Sequence, residues 1–123
     1  MASPAQSLGA QAENYVAQHL KANGWTIIAR NYRRFFGEID IIAHNQHYAV
    51  IAFVEVKARM NSTIDLAQLI STCKQQKILL VAKEFLSTHT FNHVTYRCDV
   101  ALVEHRNNQF HLRYIDNAFT FMD

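Results

Sequence analysis

Six consecutive apolar residues, Ala49 to Val54, run without a break into Glu55-Val56-Lys57. The run is far shorter than the roughly 20 residues needed to span a bilayer, but it is the right size for a strand. A strand that is apolar on both alternating faces must be covered on both, which makes it an interior strand of a sheet packed against helices. Charges at the end of such a strand are expensive. An ion withdrawn from water loses several kcal/mol unless it is paired or bound to a metal.

The flanking segments supply the cover. Residues from about Pro4 to Asn23 read as a helix, with Leu8, Ala12, Tyr15, Val16 and Leu20 on one stripe. Ser3-Pro4 suits its entry and Asn23-Gly24 its stop. Trp25 to Tyr32 reads as a first strand, Glu38 to Ala43 as a second and Tyr48 to Ala58 as a third, with Asn45-Gln46-His47 as the turn before it. From about Ile64 to Ser87 the period is helical again, with Leu66, Leu69, Ile70, Cys73, Lys77, Leu80, Val81 and Phe85 facing a sheet. Thr95 to Glu104 and Gln109 to Ile115 complete five strands, joined at Arg106-Asn107-Asn108. The order αβββαββ predicts an α/β domain with a central mixed sheet flanked by helices, in one domain over residues 1–123.

Composition narrows the function class. Half of the 123 residues are hydrophobic, so the chain can bury a core without staples. Cys73 and Cys98 form no CxxC pair and read as two buried or half-buried thiols in a reducing cytoplasm. No basic segment followed by an apolar one opens the chain, so no secretory signal and no membrane association are expected. His89 and His93 have HxxxH spacing but fall in a loop-like stretch, where a zinc site of that kind lacks its helix. No glycine-rich phosphate loop and no nucleophile elbow occur. The net charge of +2 is too small to argue nucleic-acid binding by itself.

Strand geometry brings the acids together. Residues i and i+2 share a face, so Glu55 and Lys57 lie together on the third strand and Glu38 and Asp40 on the second. Ile39, Ile41, Val54 and Val56 then point into apolar packing. If the two strands form a hairpin, the midpoint between Asp40 and Glu55 falls at His47 and Tyr48, next to the polar turn. Clustered carboxylates repel, and a divalent cation relieves both the repulsion and the desolvation. Magnesium takes oxygen ligands, commonly one or two carboxylates plus waters and phosphates. A protonated lysine beside them holds a phosphate oxygen or orients water. An isolated Glu-x-Lys is better read as a plain ion pair; Gly37-Glu38-Ile39-Asp40 upstream is what strengthens the signal.

Gly37-Glu38-Ile39-Asp40 followed by Phe53-Val54-Glu55-Val56-Lys57-Ala58-Arg59 resembles the D…ExK core of the PD-(D/E)xK nuclease superfamily. The whole chain resembles the YraN-like uncharacterised protein family 0102. That likeness runs through Gly9 to Glu13, Tyr15, Gly24, Arg30-Asn31-Tyr32-Arg33, Lys74, Ala82, Arg97-Cys98-Asp99-Val100 and Asn117-Ala118-Phe119. The resemblance implies a restriction-endonuclease-like fold, similar to Holliday-junction resolvases. It implies that Asp40 and Glu55 hold Mg²⁺ or Mn²⁺, with the Val56 backbone carbonyl as a third ligand, and that Lys57 positions water. Glu13 would add an acid from the first helix, and Lys74 would lie near the phosphate path. The loop at Met60-Asn61-Ser62-Thr63 lacks the glycine that family members often carry, and Cys98 stands where they usually have phenylalanine.

Several residues admit two readings. From periodicity alone Glu13 is a solvated flank of its helix. Glu38 is either a further ligand or a partner of Arg33, Arg34 or Arg97. Arg30, Arg33, Arg34 and Arg59 read as contacts to nucleic acid, while the interleaved Phe35 and Phe36 read as core. Arg97 and Asp99 read as a structural ion pair. The expected activity is metal-assisted hydrolysis of phosphodiester bonds in DNA rather than RNA, branched or structured, by a cytoplasmic enzyme acting as a homodimer. The rival is a non-catalytic module that binds nucleic acid or protein on the same fold.

Overall fold

The structure, a computed structural model, describes residues 6–60 and 70–120. Helix α1 (Leu8–Ala22) starts at Ser7, whose side chain accepts a hydrogen bond from the Ala10 amide. Ser7 thus satisfies one of the orphan donors of the first turn. Ala12, Val16, Ala17 and Leu20 are its buried face, while Tyr15 of the expected stripe is partly exposed. The expected entry at Ser3-Pro4 lies outside the described residues.

Strands β1 (Thr26–Arg34), β2 (Gly37–Asn45) and β3 (Val50–Met60) follow, then helix α2 (Thr72–Thr88), then β4 (Thr95–Arg106) and β5 (Gln109–Phe119). The sheet order is β1-β2-β3-β4-β5. Among the described strands only β3 and β4 pair in parallel, and α2 is carried in the connection between them. The mixed α/β architecture with five strands matches the sequence expectation. Helix α1 covers one face of the sheet, packing on Ile41, Ala43, Ala52, Val54, Ala101 and Val103. Helix α2 covers the other, packing on Ile39, Ile42, Ile51, Phe53 and Cys98. The central strand β3 therefore contributes to both cores, which explains its unbroken apolar run. No described helix is long and apolar enough to cross a membrane.

Helix α2 departs from its sequence reading. It begins at Thr72, capped by the Ser71 hydroxyl, which accepts from the Lys74 amide. The stretch with Leu66 and Leu69 lies outside the described residues. The buried face is Ile78, Val81, Ala82 and Phe85, so Cys73 and Leu80, placed inward from the sequence, are exposed. The apolar pattern of this helix is wide enough to allow either rotation, and the sheet selects one.

The turns follow ordinary backbone chemistry. Asn107 and Asn108 both take positive φ in the β4–β5 hairpin, where such values match the strand twist. The Asn45 side chain accepts from the Tyr48 amide at 3.1 Å in the β2–β3 turn. Gly37 begins β2 because a Cβ there would come within 3.2 Å of Val81 and 3.3 Å of Lys77. That close approach seats the start of β2 against α2.

Candidate active site

The β2–β3 ladder pairs Asn45 with Val50 through Ile41 with Val54, and one further step would set Asp40 opposite Glu55. The hairpin midpoint anticipated at His47 and Tyr48 is thus the observed one. At Asp40 the backbone pairing gives out and a side chain takes over: the Val56 amide donates to Asp40 Oδ2 at 2.8 Å. The two strands part here like a fork, and the carboxylate fills its throat. A strand residue sends its N–H and C=O toward the same neighbour. The Val56 carbonyl consequently faces the fork as well.

Beside the fork, β1 has an irregularity of its own. Asn31 takes φ of 51°, a left-handed conformation that asparagine tolerates inside a strand. Arg30 before it reaches Glu13 on α1, while Tyr32 after it reaches Glu84 on α2. Strand β2 makes the same change of face, since Ile41 packs beneath α1 and Ile39 beneath α2. Asp40 lies between them at the crossover. Ile39 and Ile41 therefore do not share a face, contrary to simple alternation.

Asp40 is 8% exposed and Glu55 5%. Glu55 Oε1 receives Lys74 Nζ from α2 at 2.7 Å and lies 3.5 Å from Lys57 Nζ. Glu13 of α1 is partly buried, its side chain 18% exposed, and its charge helps to raise the Asp40 pKa, so it is not a fully solvated flank of its helix. Burial pushes the Asp40 carboxyl up to about 6, against the lowering effect of the Val56 amide, and repulsion from Glu13 and Glu38 adds to the rise. Burial and the Asp40 charge raise Glu55 as well, opposed by Lys74 and Lys57. Burial and the neighbouring Lys74 charge lower Lys57, opposed by Glu55. For Lys74 burial is the largest single effect and acts downward, yet its bonds to Glu55 and Lys57 and the charges of Glu55 and Asp40 together outweigh it, and the pKa is raised. Asp40 and Glu55 are thus two neighbouring buried acids, with Glu13 of α1 beside Asp40 and two ammonium groups beside Glu55.

A family model, that of the uncharacterised protein family UPF0102, matches residues 12–103. The chain belongs to this family. A UPF0102 protein of Clostridium acetobutylicum is 38% identical over 90% of this chain and 92% of its own length. One of Desulforapulum autotrophicum is 41% identical over 97% and 98%, and one of Treponema pallidum 44% identical over 89% and 85%. The matched span of the UPF0102 model contains Glu13, Asp40, Glu55, Lys57 and Lys74, and stops before β5.

The other candidate residues of this UPF0102 chain are distributed differently from the sequence reading. Glu38 pairs with Arg33 at 2.9 Å, which is the ion-pair alternative. Arg34 is held by Glu84 at 3.1 Å and lies 4.2 Å over the Tyr32 ring. Arg30 lies 3.9 Å from Glu13, on the opposite side of the sheet from Arg34. The three arginines therefore do not form one basic patch. Arg59 donates to the Ala58 carbonyl and is partly buried. Phe36 packs against the α2 core as expected, but Phe35 at the hairpin tip is 101% exposed. The Tyr32–Glu84–Arg34 cluster was not anticipated, because no local spacing links residues 52 apart.

Asp99 is the other buried acid, and it is structural. Arg97 Nε donates to both its oxygens, the Tyr114 hydroxyl and the Asn117 amide also donate, and no capacity is left over. The expected Arg97–Asp99 pair is thus present, with two further partners from β5. Among the described residues, no three His, Cys, Asp or Glu side chains are already arranged to hold a metal ion.

Proposed function

We propose that this domain is a metal-dependent endonuclease of the PD-(D/E)xK type with a restriction-endonuclease-like fold, hydrolysing phosphodiester bonds in branched or structured DNA with Mg²⁺ or Mn²⁺. The observation that carries the reading is the fork: the Asp40 carboxylate holds the Val56 amide at 2.8 Å while burial and neighbouring acids push its pKa up to about 6. A structural carboxylate would be expected to be balanced, as Asp99 is. Asp40 is crowded by charge of its own sign, the kind of perturbation that gathers at functional sites.

The donor set fits a hard divalent cation. Asp40, Glu55 and the Val56 carbonyl offer only oxygen, and magnesium completes its shell with waters rather than requiring a full protein cage. Those three would hold the ion, with Glu13 on the acidic rim. When bound, such an ion supplies Lewis acidity to phosphate and water. The chain's own residues do the rest. Lys57 lies beside Glu55 at 3.5 Å, where its ammonium stabilises charge developing on phosphate oxygens and orients the nucleophilic water. Lys74 reaches the same carboxylate from α2 at 2.7 Å and can exchange it for a phosphate oxygen. The apolar packing beneath α1 and α2 holds both strands in place around the fork. Cutting two strands with one site per chain is simplest for a homodimer.

The test is cleavage of single strands, duplexes, flaps and four-way junctions with Mg²⁺ or Mn²⁺, comparing wild type with Glu55→Gln and Lys57→Ala. Both variants should lose cutting; cutting that survives both refutes this site. One observation favours the rival of a non-catalytic module, namely that Lys74 and Lys57 already neutralise Glu55. Calorimetric titration with Mn²⁺ separates the two, since a site sealed by lysines takes up no ion.

A further inference from the structure

The tip of the β1–β2 hairpin is built unlike the other turns. Arg34 pairs with Gly37, so the loop is just Phe35 and Phe36, neither with positive φ. Two-residue hairpin loops favour Asn-Gly or similar pairs with positive φ. Turn chemistry therefore gives no reason for two phenylalanines here. Phe36 is anchored against the α2 core, and Phe35 stands on it edge-to-face at 4.9 Å and 88°. The exposed ring is propped by a partly buried one.

This ring borders a groove of about 620 Å³ whose other lining residues include Arg33, Arg34, Lys77 and Leu80, the last of these 53% exposed. A second cavity of about 300 Å³ shares Gly37, Glu38 and Lys77 with it and reaches Lys74. Lys74 in turn touches Glu55. The two adjoining hollows thus run from an apolar ring past Arg33 and Lys77 to Lys74, the residue that contacts Glu55 of the fork. Lys77 makes no ion pair among the described residues. Arg33 is held by Glu38 in an exposed pair, which contributes little and can exchange for a phosphate. Arg34 is committed to Glu84 and Tyr32.

We propose that this hairpin tip is a stacking platform for an unpaired nucleotide, with Phe35 taking the base and Arg33 and Lys77 the flanking phosphates. It rests on the nuclease reading above and deepens it, selecting nucleic acid with a single-stranded or splayed segment over continuous duplex. The charge of the groove selects a polyanion. Bases in a duplex have no free face to offer the ring, whereas an unpaired base does, and aromatic stacking accepts any of the four.

The test measures binding by fluorescence anisotropy on a splayed fork, a single strand and a blunt duplex, with 2-aminopurine at the branch point of the fork. Wild type should bind the fork about 10-fold tighter than the duplex and quench the 2-aminopurine. Phe35→Ala should lose about 10-fold on the fork and nothing on the duplex, without quenching, while Phe35→Trp keeps both. Phe35 is fully exposed, so these variants leave the core intact. Equal affinity of Phe35→Ala and wild type for the fork overturns the platform, as does an equal loss on fork and duplex. Loss of self-association by Phe35→Ala, without a change in fork binding, also overturns it and makes the tip a protein contact. Fork-selective binding without cleavage leaves the platform standing and removes the nuclease reading. No binding to any of the three removes both.

Discussion

Replacing Asp40 by asparagine should make the protein more stable, and only above a definite pH. The Asp40 carboxyl is raised from its ordinary 3.8 to about 6, with burial the largest cause. A carboxyl whose folded pKa lies above its unfolded one binds more protons in the native state between those values, so stability falls as pH rises through that window. Below it both states are protonated and the group contributes nothing; above it the full penalty is present. A difference of this size corresponds to about 3 kcal/mol at neutral pH. Asparagine keeps an oxygen for the Val56 amide and removes the charge that repels Glu13 and Glu38. Some of the penalty is shared with those acids, so a gain of about 2 kcal/mol is expected, or about 10 °C in melting temperature for a domain of this size. The assay is thermal unfolding by circular dichroism in EDTA at about pH 8 and at about pH 4, near the bottom of the window, where most of the difference should be gone. Addition of Mn²⁺ should raise the melting temperature of wild type and not of Asp40→Asn. An Asp40→Asn variant that melts lower than wild type at neutral pH would refute the idea that this carboxylate is held against its own electrostatics.

Gly37→Ala should cost about 1 kcal/mol in urea unfolding, because its methyl group would press on Val81 and on Lys77 of α2; an unchanged midpoint would mean that β2 and α2 can separate freely. Asp99→Ala should cost about 2 kcal/mol or more by the same measurement, since the half-buried Arg97 loses its counter-charge and the Tyr114 hydroxyl and Asn117 amide lose their acceptor; a loss below about 1 kcal/mol would show that the network is dispensable. A thiol reagent should titrate Cys73 quickly in the native protein and Cys98 only after unfolding. Burial pushes the Cys98 thiol up to about 12, and rapid reaction of both would contradict its position in the core.

Local pattern was enough to determine most of the framework. The two helical periods, the five strands, the β2–β3 turn and the charged end of β3 are all legible, because periodicity in a chain reports directly which side chains must leave water. The Asp40–Glu55 alignment was legible for the same reason, since an antiparallel hairpin fixes partners by their distance from the turn. What the sequence left open was settled by the neighbours of each element. Whether α2 turns Leu80 or Ala82 inward depends on the sheet it meets. Alternation placed Ile39 and Ile41 on one face, but where β2 parts from β3, beside the left-handed Asn31 of β1, they pack on opposite faces with Asp40 between. Glu13 acquires its acidic neighbour only when α1 lies across the fork, and Phe35 is left in water because the two-residue tip extends beyond the core. Such outcomes depend on contacts between residues distant in the chain, and no local spacing encodes them.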